Sequence, residues 1–175
     1  MTDIRSRPWL TLILLLACAI CTALGPQALA RQDAPRISEP SYLDRQFMQQ
    51  QRDLLEGLTS RNFGRSFSGD QERDLELLQR LLDQRLVRPD QTRELQAMGV
   101  IMGDLLAAEL GMHWVIYEDR VGRSRALRLQ DSDNYLFPIT MISRRQEAGN
   151  RKLVSEIYQK ASDSILQVKP PLPFQ

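Results

Sequence analysis

The stretch Leu95-Gln96-Ala97-Met98-Gly99-Val100-Ile101-Met102-Gly103-Asp104-Leu105-Leu106-Ala107-Ala108-Glu109-Leu110-Gly111, continued after Met112 by His113-Trp114-Val115-Ile116-Tyr117-Glu118-Asp119, decides the fold. Leu95, Met98, Met102 and Leu105 recur at helical spacing, widened by Ile101 and Leu106, which predicts a helix over about 91–110. Gly99 and Gly103 lie one turn apart in it, and each costs about 1 kcal/mol relative to Ala in a helix interior. The expected compensation is a strand or helix packed directly on that bare surface. A membrane-dimer reading of the same spacing is disfavoured by Asp104 and Glu109, which interrupt the segment. Gly111 suits the left-handed residue that ends such a helix. Beyond it Trp114 and Ile116 alternate with Val115 and Tyr117, so both faces are apolar, as in a strand central to its sheet.

Working outward toward the C-terminus, Arg120 to Arg123 with Gly122 reads as a turn, and Arg125 to Leu129 as the returning strand. Asp131 to Asn134 turns again and Tyr135 to Phe137 gives a third strand. Pro138 fits the first position of a helix reaching about Ala148, with Gly149 at its end. A last helix over about 152–166 presents Val154, Ile157, Tyr158, Ala161 and Ile165 on one face.

Toward the N-terminus, Ser41 is placed to cap a helix carrying Leu43, Phe47, Leu54, Leu55 and Leu58, with Gly57 and Thr59 to Asn62 marking its end. After a loop with two aromatics, Ser68 is placed to cap a second helix opened by Asp70, Glu72 and Asp74, with Leu75, Leu78, Leu82 and Leu86 as its stripe. Arg88-Pro89-Asp90 breaks the chain, and Asp90 or Thr92 caps the central helix. The sum is an α+β fold, a small antiparallel sheet of about three strands packed against several helices.

The flanks define the organisation. Arg5 and Arg7 precede an apolar run from Trp9 to Leu24, Gly25-Pro26 break it, and Ala28-Leu29-Ala30 supplies the small residues of a signal-peptidase site. The expectation is a signal peptide over 1–30, cleavage after Ala30 and a periplasmic location. An alternative is a lipoprotein anchored through Cys18, because Leu15-Leu16-Ala17-Cys18 resembles a lipobox. Residues 31–40 read as a flexible lead-in, 41–168 as one domain, and the proline-rich stretch 169–175 as an extended tail.

Both cysteines, Cys18 and Cys21, sit inside the apolar run, so cleavage at Ala30 removes disulfide, Cys-metal and thiol chemistry together. His113 is the only histidine, which leaves no metal site to expect. No phosphate loop, dinucleotide fingerprint or nucleophile elbow is present, and no cofactor is expected. A catalytic reading falls on His113, Glu118 and Asp119. Against it, Glu118 points to the face opposite His113, and Asp119 lies roughly 20 Å along an extended strand at about 3.3 Å per residue. One of the two carboxylates is expected to accept from the following turn and the other to pair with an Arg.

Charge is more informative. Without Arg5, Arg7 and Asp3 the chain carries 21 basic and 21 acidic residues, so no global charge points to nucleic acid. Between Arg120 and Lys152, however, eight basic residues face three acidic ones. Arg120, Arg123, Arg125, Arg128, Arg144 and Arg145 are the candidate binding residues, for an anionic envelope protein, lipid or wall polymer. Reversing Arg123, Arg125 and Arg144 together is then expected to weaken partner retention at unchanged melting temperature.

The residues Gly99-xxx-Gly103, Glu109-Leu110-Gly111, Trp114, Glu118-Asp119, Gly122, Phe137-Pro138, Thr140-Met141-Ile142 and Arg144-Arg145 together resemble a family of bacterial proteins known only as a domain of unknown function, many of them exported. The resemblance covers about 95–147 and implies a fold boundary but no activity, substrate or cofactor. The leading expectation is therefore a periplasmic binding or interaction module. The alternatives are an immunity or inhibitor protein against a secreted toxin, an enzyme with a site near His113, or a lipid-tethered assembly part that depends on Cys18.

Overall fold

The structure, a computed structural model, describes residues 34–168. The signal segment with Cys18 and Ala30, and the tail 169–175, lie outside the described residues. The order of elements is β1 (Arg36–Ser38), α1 (Tyr42–Phe63), α2 (Gln71–Asp83), α3 (Thr92–Leu110), β2 (Met112–Glu118), β3 (Arg123–Leu129), β4 (Tyr135–Leu136), α4 (Ile139–Glu147) and α5 (Val154–Leu166).

α3 is the spine. It contacts α1, α2, α4 and α5 as well as β2 and β3. Ala97 and Val100 are therefore buried along with the expected stripe, and from Ala97 to Gly103 the helix is covered on every side. Each fully buried Leu or Met on it contributes about 2 kcal/mol of apolar burial. A Cβ built on Gly99 would stand 2.5 Å from the Ile139 carbonyl oxygen and 2.6 Å from the Pro138 oxygen. One built on Gly103 would stand 2.5 Å from Cζ2 of Trp114 and 3.1 Å from Cβ of Pro138. The two glycines thus let the start of α4 and the Trp114 indole lie directly on the helix backbone, which is the compensation their spacing called for.

The sheet has the order β1-β2-β3-β4, antiparallel throughout. Its fourth strand comes from Arg36 to Ser38, expected within the flexible lead-in, which pairs with Ile116 to Glu118. Three residues with one half-buried side chain, Ile37, are too short for an alternation to show. Met112, Trp114 and Ile116 share a face with their partners Leu129, Leu127 and Arg125, and this face is turned to α3 and α1. Val115 and Ala126, paired on the opposite face, are also buried, which fits the central place of β2.

The first two helices differ in detail from expectation. α1 runs through Gly57 to Phe63 and ends on Gly64 at φ 61°. Thr59 and its neighbours form its last turn, with the Thr59 hydroxyl donating to the Leu55 carbonyl. Its buried face is Asp44, Met48, Gln51, Leu55 and Thr59, while Leu43 is 72% exposed. A buried stripe that carries three polar residues hides its own phase from apolar counting. Asp70 rather than Ser68 caps α2, accepting from the Arg73 amide at 2.9 Å, and Leu86 lies in the loop beyond the helix. Gln91 occupies the cap position of α3 and makes no side-chain cap bond.

Candidate functional site

Where β4 ends, the chain leaves the sheet. β4 pairs with β3 only at Leu127↔Leu136 and Arg128↔Tyr135, and Pro138 then starts α4. The first half of β3 and the first turns of α4 face each other across a groove of about 480 Å³. Phe47 of α1 and Gln96 of α3 also line it, with Tyr117, Phe137, Thr140 and Arg144. Its aromatic wall is ordered, because the Tyr117 ring meets Tyr135 and Phe137 edge-on at centroid distances of 5.0 and 5.3 Å.

The groove's basic side is built on one buried carboxylate. Asp44, 3% exposed at its side chain, is the third residue of α1 and closes a capping box with Ser41. Arg123 grips it with both terminal nitrogens, at 3.0 and 2.6 Å, and Nη2 of Arg125 forms an ion pair with it at 2.9 Å. The Ser41 hydroxyl donates at 2.6 Å. Arg123 foremost, with the Ser41 hydroxyl and amide, holds the Asp44 carboxyl well below the usual carboxylate range against the desolvation that opposes them. Arg125 also stacks on Phe47, its guanidinium carbon 4.2 Å from the ring centroid. Nε of Arg125 is buried with no hydrogen-bond partner among the described residues.

Of the six candidate arginines, the structure brings Arg123, Arg125 and Arg144 to the groove. Two of these three are committed to Asp44, and reversing them would break the bond between the β2–β3 hairpin and α1. The triple reversal would therefore cost stability, contrary to the expectation from sequence. Arg144 is exposed, and its side chain makes no hydrogen bond or ion pair among the described residues. Arg128 ties the β3–β4 turn, donating to the carbonyls of Ser132 and Asp131 at 2.8 and 2.7 Å. Arg145 donates to the Met141 carbonyl at 2.6 Å, and Arg120 is an exposed residue of the β2–β3 turn.

His113, Glu118 and Asp119 are not brought together. His113 lies opposite Arg128 at one end of β2 and Glu118 opposite Arg123 at the other. Asp119 accepts from the amides of Val121 and Gly122 at 2.8 and 3.1 Å and shapes the turn, as one of the two carboxylates was expected to do. Among the described residues no group of three or more His, Cys, Asp or Glu side chains is placed to hold a metal ion. No helix of the described residues is long and apolar enough to cross a membrane.

Sequence reasoning passed over Asp44, Gln96, Thr140 and the aromatic wall. The Ser41-x-x-Asp44 capping box was the one available signal. It marks a helix start but not that Asp44 meets Arg123, 79 residues on. Asp104, which read as a charge interrupting α3, accepts two bonds from Arg52 at 2.7 and 2.9 Å and one from the Trp114 indole at 3.0 Å, joining α1, α3 and β2.

Comparison with known proteins agrees with this geometry at the level of fold and family. A solved structure from Bacteroides thetaiotaomicron VPI-5482 is similar, with a TM-score of 0.67 and 21% sequence identity, over 76% of this chain and 49% of that one. The chain thus spans about half the length of that structure, and the likeness is one of fold. No curated protein matches the chain. A family model described as a domain of unknown function (DUF3806) matches residues 74–158. That stretch contains the resemblance read at 95–147, along with α3, the β2–β3–β4 sheet and α4. Residues 74–158 are thus similar to the DUF3806 family, and the helix that precedes them adds Phe47 to the groove lining and Asp44 as the partner of its arginines.

Proposed function

We propose that the protein is an exported periplasmic module that binds an anionic component of the cell envelope in the groove between β3 and α4. One observation carries the reading: an exposed arginine without a partner among the described residues, Arg144, shares a groove with the fixed pair Arg123 and Arg125 and an ordered aromatic wall. Asp44 neutralises part of that charge and fixes its position, so the site is preorganised at little further entropic cost. Arg144 adds charge that is not used by the fold, and aromatic rings next to it add apolar contact area. The signal-like N-terminus supplies the route to the envelope.

The test is retention of the protein by washed envelopes of its host at low and high salt. Arg144→Glu is expected to release it at low salt without lowering the melting temperature, while Arg151→Glu, outside the groove, is not. Equal retention of both variants and the parent would remove the groove from the account. An intact mass beginning at Arg31 supports the free periplasmic form, and one beginning at an acylated Cys18 supports the anchored form.

A further inference from the structure

On the side of β4, the hydrogen-bond ladder of β3 stops halfway along the strand. Leu129 donates its amide to the Asn134 carbonyl at 3.1 Å, which fixes the backbone of Leu129 toward β4. At the other end Gly122 directs its carbonyl to Asp119, toward β2, so Ser124, Ala126 and Arg128 follow it. Leu127 then uses its outward groups on Leu136. Continuing that register places Pro138 opposite Arg125. Proline has no N–H to offer, and the chain turns into α4 there. The outward N–H and C=O groups of Arg125 and Arg123 are left without a strand partner among the described residues, and they lie on the side of the groove.

An edge of this kind normally takes a strand or is guarded against one. Here the open positions carry charge, from Arg123 and Arg125, but Asp44 engages both side chains, and a space of about 480 Å³ lies in front of the open positions. A strand added at the usual spacing of about 4.8 Å would alternate its side chains between the Tyr117–Phe137 wall and the arginine side. Charge complementarity selects acidic side chains, because Arg144 is uncommitted and Arg123 remains 44% exposed while holding Asp44. We propose that the groove binds an extended, acidic segment of another protein by strand addition to the open half of β3, with Arg123 and Arg125 supplying the main-chain bonds and Arg144 the charge. This rests on the groove reading above and names its occupant as a peptide strand.

The experiment uses the protein purified from its host and a synthetic peptide alternating Val and Glu. A second peptide of the same sequence is N-methylated on alternate amides, and anionic phospholipid vesicles are the third probe. Strand addition predicts slowed exchange of the Arg123 and Arg125 amides when the first peptide binds. It also predicts about tenfold weaker binding of the methylated peptide, the equivalent of one or two lost hydrogen bonds. Arg144→Glu is expected to weaken the first peptide by about tenfold or more. Equal binding of the two peptides would overturn strand addition while leaving an anion-binding groove. Binding of vesicles without either peptide would overturn it in favour of a lipid surface, and binding of none of the three would overturn both readings.

Discussion

Gly99→Ala and Gly57→Ala are the same chemical change on two helices, and the structure gives them opposite signs. Replacing a helix-interior glycine by alanine gains about 1 kcal/mol from helix propensity where space permits. At Gly57 the new Cβ would lie 3.1 Å from Nη1 of Arg61, the far end of a flexible side chain that moves at little cost. At Gly99 it would lie 2.5–2.6 Å from three backbone atoms of Pro138 and Ile139, and an ordinary contact begins near 3.4 Å. The start of α4 must therefore withdraw by about 1 Å, and overpacking of this kind costs about 1–3 kcal/mol. Loss of the packing between α3 and α4 adds to that cost, so the net change at Gly99 is a destabilisation of about 1–2 kcal/mol. Gly57→Ala is expected to stabilise by about 0.5–1 kcal/mol. Urea denaturation of the two variants and the parent measures both, and a domain of this size moves by about 4 °C in melting temperature per kcal/mol. Since Ile139 and Thr140 line the groove, Gly99→Ala should also weaken binding there. A Gly99→Ala variant more stable than the parent would refute the close approach of α4 to α3, and with it the geometry of the groove.

Other outcomes follow from the same contacts. Gly103→Ala displaces the Trp114 indole and should redshift its emission as well as lower stability by about 1–3 kcal/mol; an unchanged spectrum would contradict the contact. Asp44→Asn should cost about 2–4 kcal/mol at neutral pH, discounted for the partial exposure of Arg123, as measured by urea denaturation. Because the folded carboxyl is held below its unfolded value, its contribution is complete above the ordinary range near pH 4 and is lost as pH falls below it. Stability of the parent should thus fall in acid more steeply than that of Asp44→Asn. Tyr158, buried and hydrogen-bonded to Glu109, has its phenol held above the ordinary value by burial first and Glu109 second. Its stabilising effect is present below about pH 10 and lost above it, so Tyr158→Phe should flatten the alkaline limb of the stability profile.

The legible part of this fold is the part built from local pattern. Gly99 and Gly103 announced a close neighbour, Gly111 the helix end, and Pro138 the start of α4, because each is a backbone constraint that one or two residues express. β1 was hidden because three residues cannot show a period, and the phase of α1 because Asp44, Gln51 and Thr59 occupy its buried face. The site was half legible. Charge pattern led to Arg123, Arg125 and Arg144, but a count of charges cannot separate an arginine spent on a buried aspartate from one left to solvent. That distinction is made by Asp44, distant in sequence, and by the premature end of β4, which is a fact of register.

The central claim, that the groove between β3 and α4 meets a partner in the envelope, is tested most directly by photo-crosslinking in the living host. A crosslinking residue placed at Thr140, inside the groove, is compared with one at Arg151, outside it. The account predicts a discrete crosslinked product from position 140 that disappears with Arg144→Glu and is absent from position 151. The same product from both positions, or one from 140 that survives Arg144→Glu, would contradict it.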